Sequence, residues 1–237
     1  MNRSEWSRAA HGDLEFMGPY DASSFAELFD GVELPPGPRV LDLGCGNGAL
    51  LRWLAGRWAI DGTGVDLQPG ALDAPGIRLL VGDANEFPAQ PASYDLACSV
   101  GAVTPLHRLA ELARPGGLVL LGEGYWKRAP DDRYLEALGA ARDELGDWSA
   151  TIQLGDPAGL ELLRARPATV DEWDAYEDAW AANGEDYARA HPDEPGVGQF
   201  LDWIRAGRRR YRELGGRDTL GFALLLFRVG TAEPDRS

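Results

Sequence analysis

The segment that most constrains this chain is Arg39-Val-Leu-Asp-Leu-Gly-Cys-Gly-Asn-Gly48, an apolar strand that runs into glycines and then directly into a helical pattern. Glycine lets a backbone pass close to a bound molecule with no side chain in the way, and the helix that follows offers free N–H groups at its start. A ligand held at a strand-to-helix edge is implied. The next strand ends in Gly64-Val-Asp66, where a carboxylate at a strand tip can accept both hydroxyl protons of a ribose. A third ends in Gly82-Asp83-Ala84, a carboxylate beside small residues, suited to the amino group of an adenine.

From Arg39 to Leu121 short apolar runs alternate with helical patterns, the signature of βαβ units feeding a parallel sheet. The predicted strands are Arg39–Leu43, Gly62–Asp66, Ile77–Val81, Tyr94–Ser99 and Leu118–Leu121, with a sixth near Glu161–Arg166 and a last at Thr219–Val229. Continuous apolar content in Thr219–Val229 suits a central, doubly covered position. Gly48–Trp58 and Leu106–Ala113 read as crossover helices, the second stopped by Arg114-Pro115-Gly116-Gly117. The plain fold has no use for Thr169–Gly216, which reads as an inserted helical cap. Its first helix places Trp173, Tyr176, Trp180 and Tyr187 on roughly one face, its second carries Phe200, Trp203, Ile204 and Tyr211, and His191–Gly198 is the turn between them. Residues 1–237 are thus expected to form one domain, with a cofactor-binding core at 38–168, the cap at 169–216, the final core strand at 217–229 and a disordered tail at Gly230–Ser237.

These residues resemble the class I S-adenosylmethionine-dependent methyltransferases, over about residues 38–122. The resemblance implies an α/β, doubly wound, Rossmann-like seven-stranded sheet, mostly parallel with its last strand antiparallel. It also implies the cofactor S-adenosylmethionine, with S-adenosylhomocysteine as product. By the same likeness Asp42, Gly44, Cys45, Gly46 and Gly48 lie under the methionine part of the cofactor, Asp66 and Leu67 at the ribose, Asp83 and Ala84 at the adenine, and Ser99 and Val100 in the contacting loop after the fourth strand. Leu112-Ala-Arg-Pro-Gly-Gly117 is similar to the family's turn into the fifth strand, with Arg114 a surface replacement of a usual lysine. A nicotinamide or flavin cofactor would favour Gly-x-Gly-x-x-Gly, whereas the run here is Gly44-x-Gly46-x-Gly48 with Asp42 ahead of it. Asp95, at the opening of its strand and far from the cofactor edge, reads as structural.

Composition narrows the acceptor. Twenty-three Lys and Arg against 38 Asp and Glu leave a formal charge of −15, which repels a phosphate backbone, so nucleic acid is not expected as substrate. The segment Ser99-Val-Gly-Ala also lacks the Asp/Asn-Pro-Pro-aromatic pattern of nucleic-acid methyltransferases. The two cysteines, Cys45 and Cys98, lie in apolar stretches, which suits a reducing cytoplasm and suggests neither a disulfide nor a metal site. The apolar runs are too short to cross a bilayer, and nothing marks export.

A small organic acceptor under the cap is the leading expectation. A protein that binds the cofactor without turnover and a protein methyltransferase are the competing ones, and oligomeric state is open. Methyl transfer is an in-line displacement that rests on positioning and exclusion of water, and a base matters only where the nucleophile has a proton to lose. Glu123, directly after the fifth strand, is the first candidate for base or anchor. His11 is the best placed of three histidines that otherwise read as surface residues. Tyr20, Tyr125, Trp126, Trp173 and Tyr176 are the candidates for contacting substrate. Arg205, Arg208, Arg209 and Arg212 form one basic face, either an anion site or simply a stripe paired with acids.

Overall fold

The computed structural model describes residues 2–72, 74–102 and 105–231. Its strands are β1 Arg39–Leu43, β2 Asp61–Asp66, β3 Ile77–Val81, β4 Tyr94–Val100, β5 Ala113–Trp126, β6 Leu160–Pro167 and β7 Leu220–Val229. Its helices are α1 Arg3–His11, α2 Ala22–Leu28, α3 Ala49–Arg57, α4 Leu106–Leu112, α5 Asp132–Leu138, α6 Trp148–Ile152, α7 Val170–Ala190, α8 Val197–Arg212 and α9 Gly216–Thr219. All seven strands join one sheet in the order β3-β2-β1-β4-β5-β7-β6. The pairs β1–β2, β1–β4, β2–β3 and β4–β5 are parallel, and β6–β7 is antiparallel. This is the doubly wound, mostly parallel seven-stranded architecture expected. Of the tail expected at 230–237, residues 232–237 lie outside the described residues.

The chain divides into two compact units. One holds Ala22–Glu123, Ser149–Pro167 and the last strand from Ala223. Its core is made by strand residues that turn both faces inward, such as Leu41, Leu43, Leu96, Leu120 and Phe227, each fully buried. Helix α3 adds Leu51 and Leu54, also fully buried, each burial contributing roughly 1.5–3 kcal/mol. An aromatic cluster seals this helix on α2 and the residue after it: Phe25 lies 5.6 Å from Trp53 and Phe29 lies 5.7 Å from Trp58, centroid to centroid.

The other unit holds the N-terminal residues to Asp21, Gly124–Trp148 and Ala168–Phe222, and it is mainly helical. Helix α7 starts at a capping box in which the Thr169 hydroxyl accepts from the Glu172 N–H at 3.2 Å and the Glu172 carboxylate accepts from the Thr169 N–H at 2.7 Å. It packs on α8 at two glycines where a β-carbon would collide, Gly184 against Ile204 at 2.4 Å and Gly207 against Trp180 at 2.8 Å. Asp174 fastens the bottom of the pair, accepting from Tyr211 Oη at 2.7 Å, Arg212 Nη1 at 3.1 Å and Arg217 Nη2 at 2.8 Å.

Two expectations change. The fifth strand, predicted as Leu118–Leu121, spans Ala113–Trp126, so Glu123, Tyr125 and Trp126 belong to the strand instead of following it. The Arg-Pro-Gly-Gly turn survives as an excursion inside β5: Tyr94 pairs with Ala113 and Leu96 with Leu118, so Arg114–Gly117 bulge out, with Gly116 at φ 74. The basic face is paired with acids: Arg205 to Asp202, Arg208 to Glu185, Arg209 to Glu213, and Arg212 to Asp174 and Asp178. No helix among the described residues is long and apolar enough to cross a membrane.

Candidate functional site

Gly44, Gly46 and Gly48 all have left-handed backbone, at φ 83, 53 and 76. That conformation needs glycine, and at Gly44 and Gly48 space demands it as well. A β-carbon on Gly44 would stand 2.2 Å from Ala102 Cβ, and one on Gly48 would stand 2.9 Å from Leu72 Cδ2. The loop is locked to the neighbouring strand. Gly44 and Cys45 N–H donate to the Val65 carbonyl at 2.8 and 3.1 Å, and Gly46 N–H donates to Asp66 Oδ2 at 3.0 Å. The other oxygen of Asp66 accepts from Gln68 N–H at 2.8 Å. Gly48 caps α3 without a side-chain bond, and Asn47 Oδ1 accepts from Ala49 N–H at 3.0 Å.

Beneath this loop Asp42, at the tip of β1, is only 3% exposed. Burial first, and the charge of Asp66 second, push its carboxyl up to about 7. A buried acid held so high is poised to take up a positive group. Across the sheet, on β4, the Ser99 hydroxyl is enclosed with no hydrogen-bond partner among the described residues. Buried polar atoms rarely go unmatched, so this one also waits for a partner. Val100 ends the strand beside it, half-buried.

The remaining candidates differ in place. Cys45 turns away: its sulfur would lie 2.7 Å from a β-carbon on Gly64, so it packs against β2, and burial raises its thiol well above the ordinary range. Leu67 is 62% exposed beyond the tip of β2. Asp83 is exposed and accepts from Asn85 N–H at 2.8 Å, while Ala84 is half-buried next to it. Asp95 accepts from Arg39 N–H at 2.7 Å and from Arg114 Nε at 2.5 Å, tying the starts of β1 and β5. Arg114, read as an indifferent surface residue, is thus part of that tie. A cavity of about 460 Å³ beside it is lined by strand starts and the 30–35 segment, the wrong end of an open α/β sheet for a ligand.

In the helical unit, His11, Trp173 and Tyr176 line a common cavity of about 300 Å³. His11 is buried, not on the surface as its residue type suggested. Its Nδ1–H donates to the Ser7 carbonyl at 2.7 Å, which leaves Nε2 to accept from the Tyr176 hydroxyl at 3.0 Å, and burial lowers its pKa. His107 and His191 are exposed. Tyr20 stacks on Phe222 at 5.5 Å. Tyr125 packs at a tilt against Trp148, with ring centroids 5.2 Å apart. Trp126 donates its indole N–H to the Arg142 carbonyl at 2.9 Å and packs with Tyr134 and Leu135, so its surroundings are those of a core residue. Glu123 is half-buried on β5.

The two charged residues of the cavity, Glu177 and Arg210, were not among the candidates from the sequence. The signal was available. Trp173, Glu177 and Trp180 stand at i, i+4 and i+7 on α7, and Trp203, Gly207 and Arg210 stand at the same intervals on α8, so each charged residue falls on an apolar face.

Residues 40–117 match the sequence profile of the methyltransferase-domain family. Together with the sheet order, the match makes this part of the chain similar to a methyltransferase domain carried on a doubly wound sheet. Similar proteins span nearly the whole chain. A protein of unassigned activity from Escherichia coli strain K12, YjhP, is 25% identical over 215 residues, covering 81% of this chain and 86% of its own. A methyltransferase from Thiobacillus denitrificans, solved with S-adenosylhomocysteine, superposes with a TM-score of 0.81 at 24% identity, covering 96% of this chain and 98% of that one. One from Geobacter sulfurreducens, also solved with S-adenosylhomocysteine, gives 0.81 at 24% identity, with coverage of 94% and 97%.

Proposed function

We propose that this chain transfers the methyl group of S-adenosylmethionine to a small-molecule acceptor. The observation that carries this reading is the left-handed glycine loop clamped to Asp66 above the buried Asp42. The residues suit the cofactor. Asp42 offers a buried negative charge to the positively charged methionine end, and Gly44, Gly46 and Gly48 let the backbone lie against it. Each Asp66 oxygen spends one lone pair on a backbone N–H and keeps another for a ribose hydroxyl. Asp83 and Ala84 take the adenine, and the unmatched Ser99 hydroxyl and the Val100 backbone complete the edge. The bound cofactor supplies an electrophilic methyl group.

The chain's own contribution is to orient the acceptor and keep water away. Glu123 is the candidate to receive a proton or to anchor the acceptor. His11 is held neutral, but its Nε2 is engaged by Tyr176, so it can take a proton only if that hydrogen bond yields. The surface charge of −15 supports a small acceptor over nucleic acid, and two unpaired, buried thiols suit the cytoplasm.

The test is calorimetric titration of S-adenosylhomocysteine, followed by transfer of a labelled methyl group to a metabolite library. Saturable uptake with labelled product is expected. Folded protein that takes up neither S-adenosylhomocysteine nor S-adenosylmethionine would overturn the reading, and uptake with no transfer to any metabolite would turn it into a binding protein.

A further inference from the structure

Walls of the cavity in the helical unit come from aromatic rings on α7 and α8: Trp173, Tyr176, Trp180 and Trp203. Their faces suit a flat, apolar guest, and at about 300 Å³ the space is at the low end for ligand pockets, enough for one ring system. Charge then decides the guest's polar end. Four arginines of α8 have acidic partners, but Arg210, which lines the cavity, has none within ion-pair distance among the described residues. Guanidinium stays charged at every physiological pH and presents a planar fork that matches a carboxylate. We propose that this cavity binds a small planar aromatic carboxylate, its ring among the aromatic walls and its charge against Arg210. On the methyl-transfer reading, that molecule is the acceptor.

Glu177 shares the cavity, and in its ionised form it would repel an anion. Burial, the largest influence, pushes its carboxyl up to about 7 against the lowering effect of Arg210 and Arg212, with Asp178 adding to the rise. Near neutral pH a large share is therefore protonated, and the protonated form donates a hydrogen bond to a carboxylate. Around it, Tyr134 of α5 and Tyr176 and Tyr211 have phenol groups raised by burial, and His11 of α1 is kept neutral, so among the described residues that line the cavity Arg210 and Glu177 are the ones that carry charge near neutral pH, while Asp174, Asp178 and Arg212 act from outside the lining. The Trp173 indole N–H, buried without a partner among the described residues, adds a donor that an oxygen-bearing guest would satisfy. An amine guest would instead need Glu177 ionised and would meet Arg210 as a like charge. Binding of a carboxylate should take up protons and weaken as pH rises from 6 to 8.

The test titrates salicylate into the full chain without cofactor, read by calorimetry and tryptophan fluorescence, beside tyramine and cyclohexanecarboxylate. Saturable salicylate binding, weaker binding of the other two and at least a roughly tenfold loss in Arg210→Gln are expected, with melting temperature and S-adenosylhomocysteine affinity of that variant unchanged. Glu177→Gln should bind salicylate with its pH dependence flattened. Equal salicylate affinity in Arg210→Gln, tighter binding of tyramine or cyclohexanecarboxylate, or no salicylate binding by protein that takes up S-adenosylhomocysteine would each overturn the proposal. Salicylate binding by protein that takes up no cofactor would support this site while removing the methyl-transfer reading.

Discussion

The backbone N–H of Gly46 donates to Asp66 Oδ2 at 3.0 Å, so the glycine loop after β1 hangs from the carboxylate at the tip of β2. Asp66 therefore has two tasks: it shapes the loop that a ligand would touch, and it keeps lone pairs for the ligand itself. Replacing it with alanine removes both. Asp66→Ala should weaken S-adenosylhomocysteine binding by about 1–3 kcal/mol, measured by calorimetry. An unchanged affinity would remove Asp66 from the site.

Gly44→Ala tests the loop by shape alone. The new methyl group would lie 2.2 Å from Ala102 Cβ on a backbone at φ 83. Left-handed geometry alone costs roughly 1–2 kcal/mol for a residue with a β-carbon. A lower melting temperature and lost cofactor uptake are expected together. A variant that melts and binds as the parent does would show that the loop tolerates a side chain.

Asp42 gives the site a pH signature. Its folded carboxyl sits near 7, above the ordinary value of 3.8, because burial and Asp66 penalise its charged form. An acid with a raised folded pKa contributes stability that is full below about pH 4 and is lost as pH climbs to about 7. Cofactor-free Asp42→Asn should therefore lose less stability than the parent between pH 4 and 7, read by thermal melts, and should bind S-adenosylmethionine more weakly. The parent should release protons on binding S-adenosylmethionine near pH 7, seen as a buffer-dependent heat. A heat independent of buffer would mean that Asp42 does not meet the cofactor's positive end.

In the helical unit the close approach of α7 and α8 rests on small residues. Gly184→Ala places a methyl group 2.4 Å from Ile204 and should destabilise by about 1–3 kcal/mol in denaturant titrations. No loss would show that Ile204 can rotate away.

The sheet was largely legible from periodicity, because parallel strands buried on both faces leave continuous apolar runs such as Leu118–Leu121 and Leu224–Phe227. Strand β5 was cut short because Pro115, Gly116 and Gly117 read as a stop, whereas the structure absorbs them in a bulge facing Tyr94 and Leu96. Helix α1 was not anticipated although Asn2 and Glu5 spell its capping box, since only Trp6, Ala9 and Ala10 mark an apolar face. Left-handed glycines were legible at the site because no other residue serves there. The spacing of Glu177 and Arg210 on apolar faces was legible too, but their character was not, because it comes from what faces them across α7 and α8.

Strand β7, the last in sequence, lies between β5 and β6. A chain emerging from the ribosome has made six strands and every helix before it owns the piece that joins them, so until Leu220–Val229 arrives β6 has no neighbour in the sheet. Completion of the sheet is thus a single late event. Shortened products that stop before this stretch leave the outer edge of β5 bare and β6 without a partner, which makes them targets for chaperones and proteases.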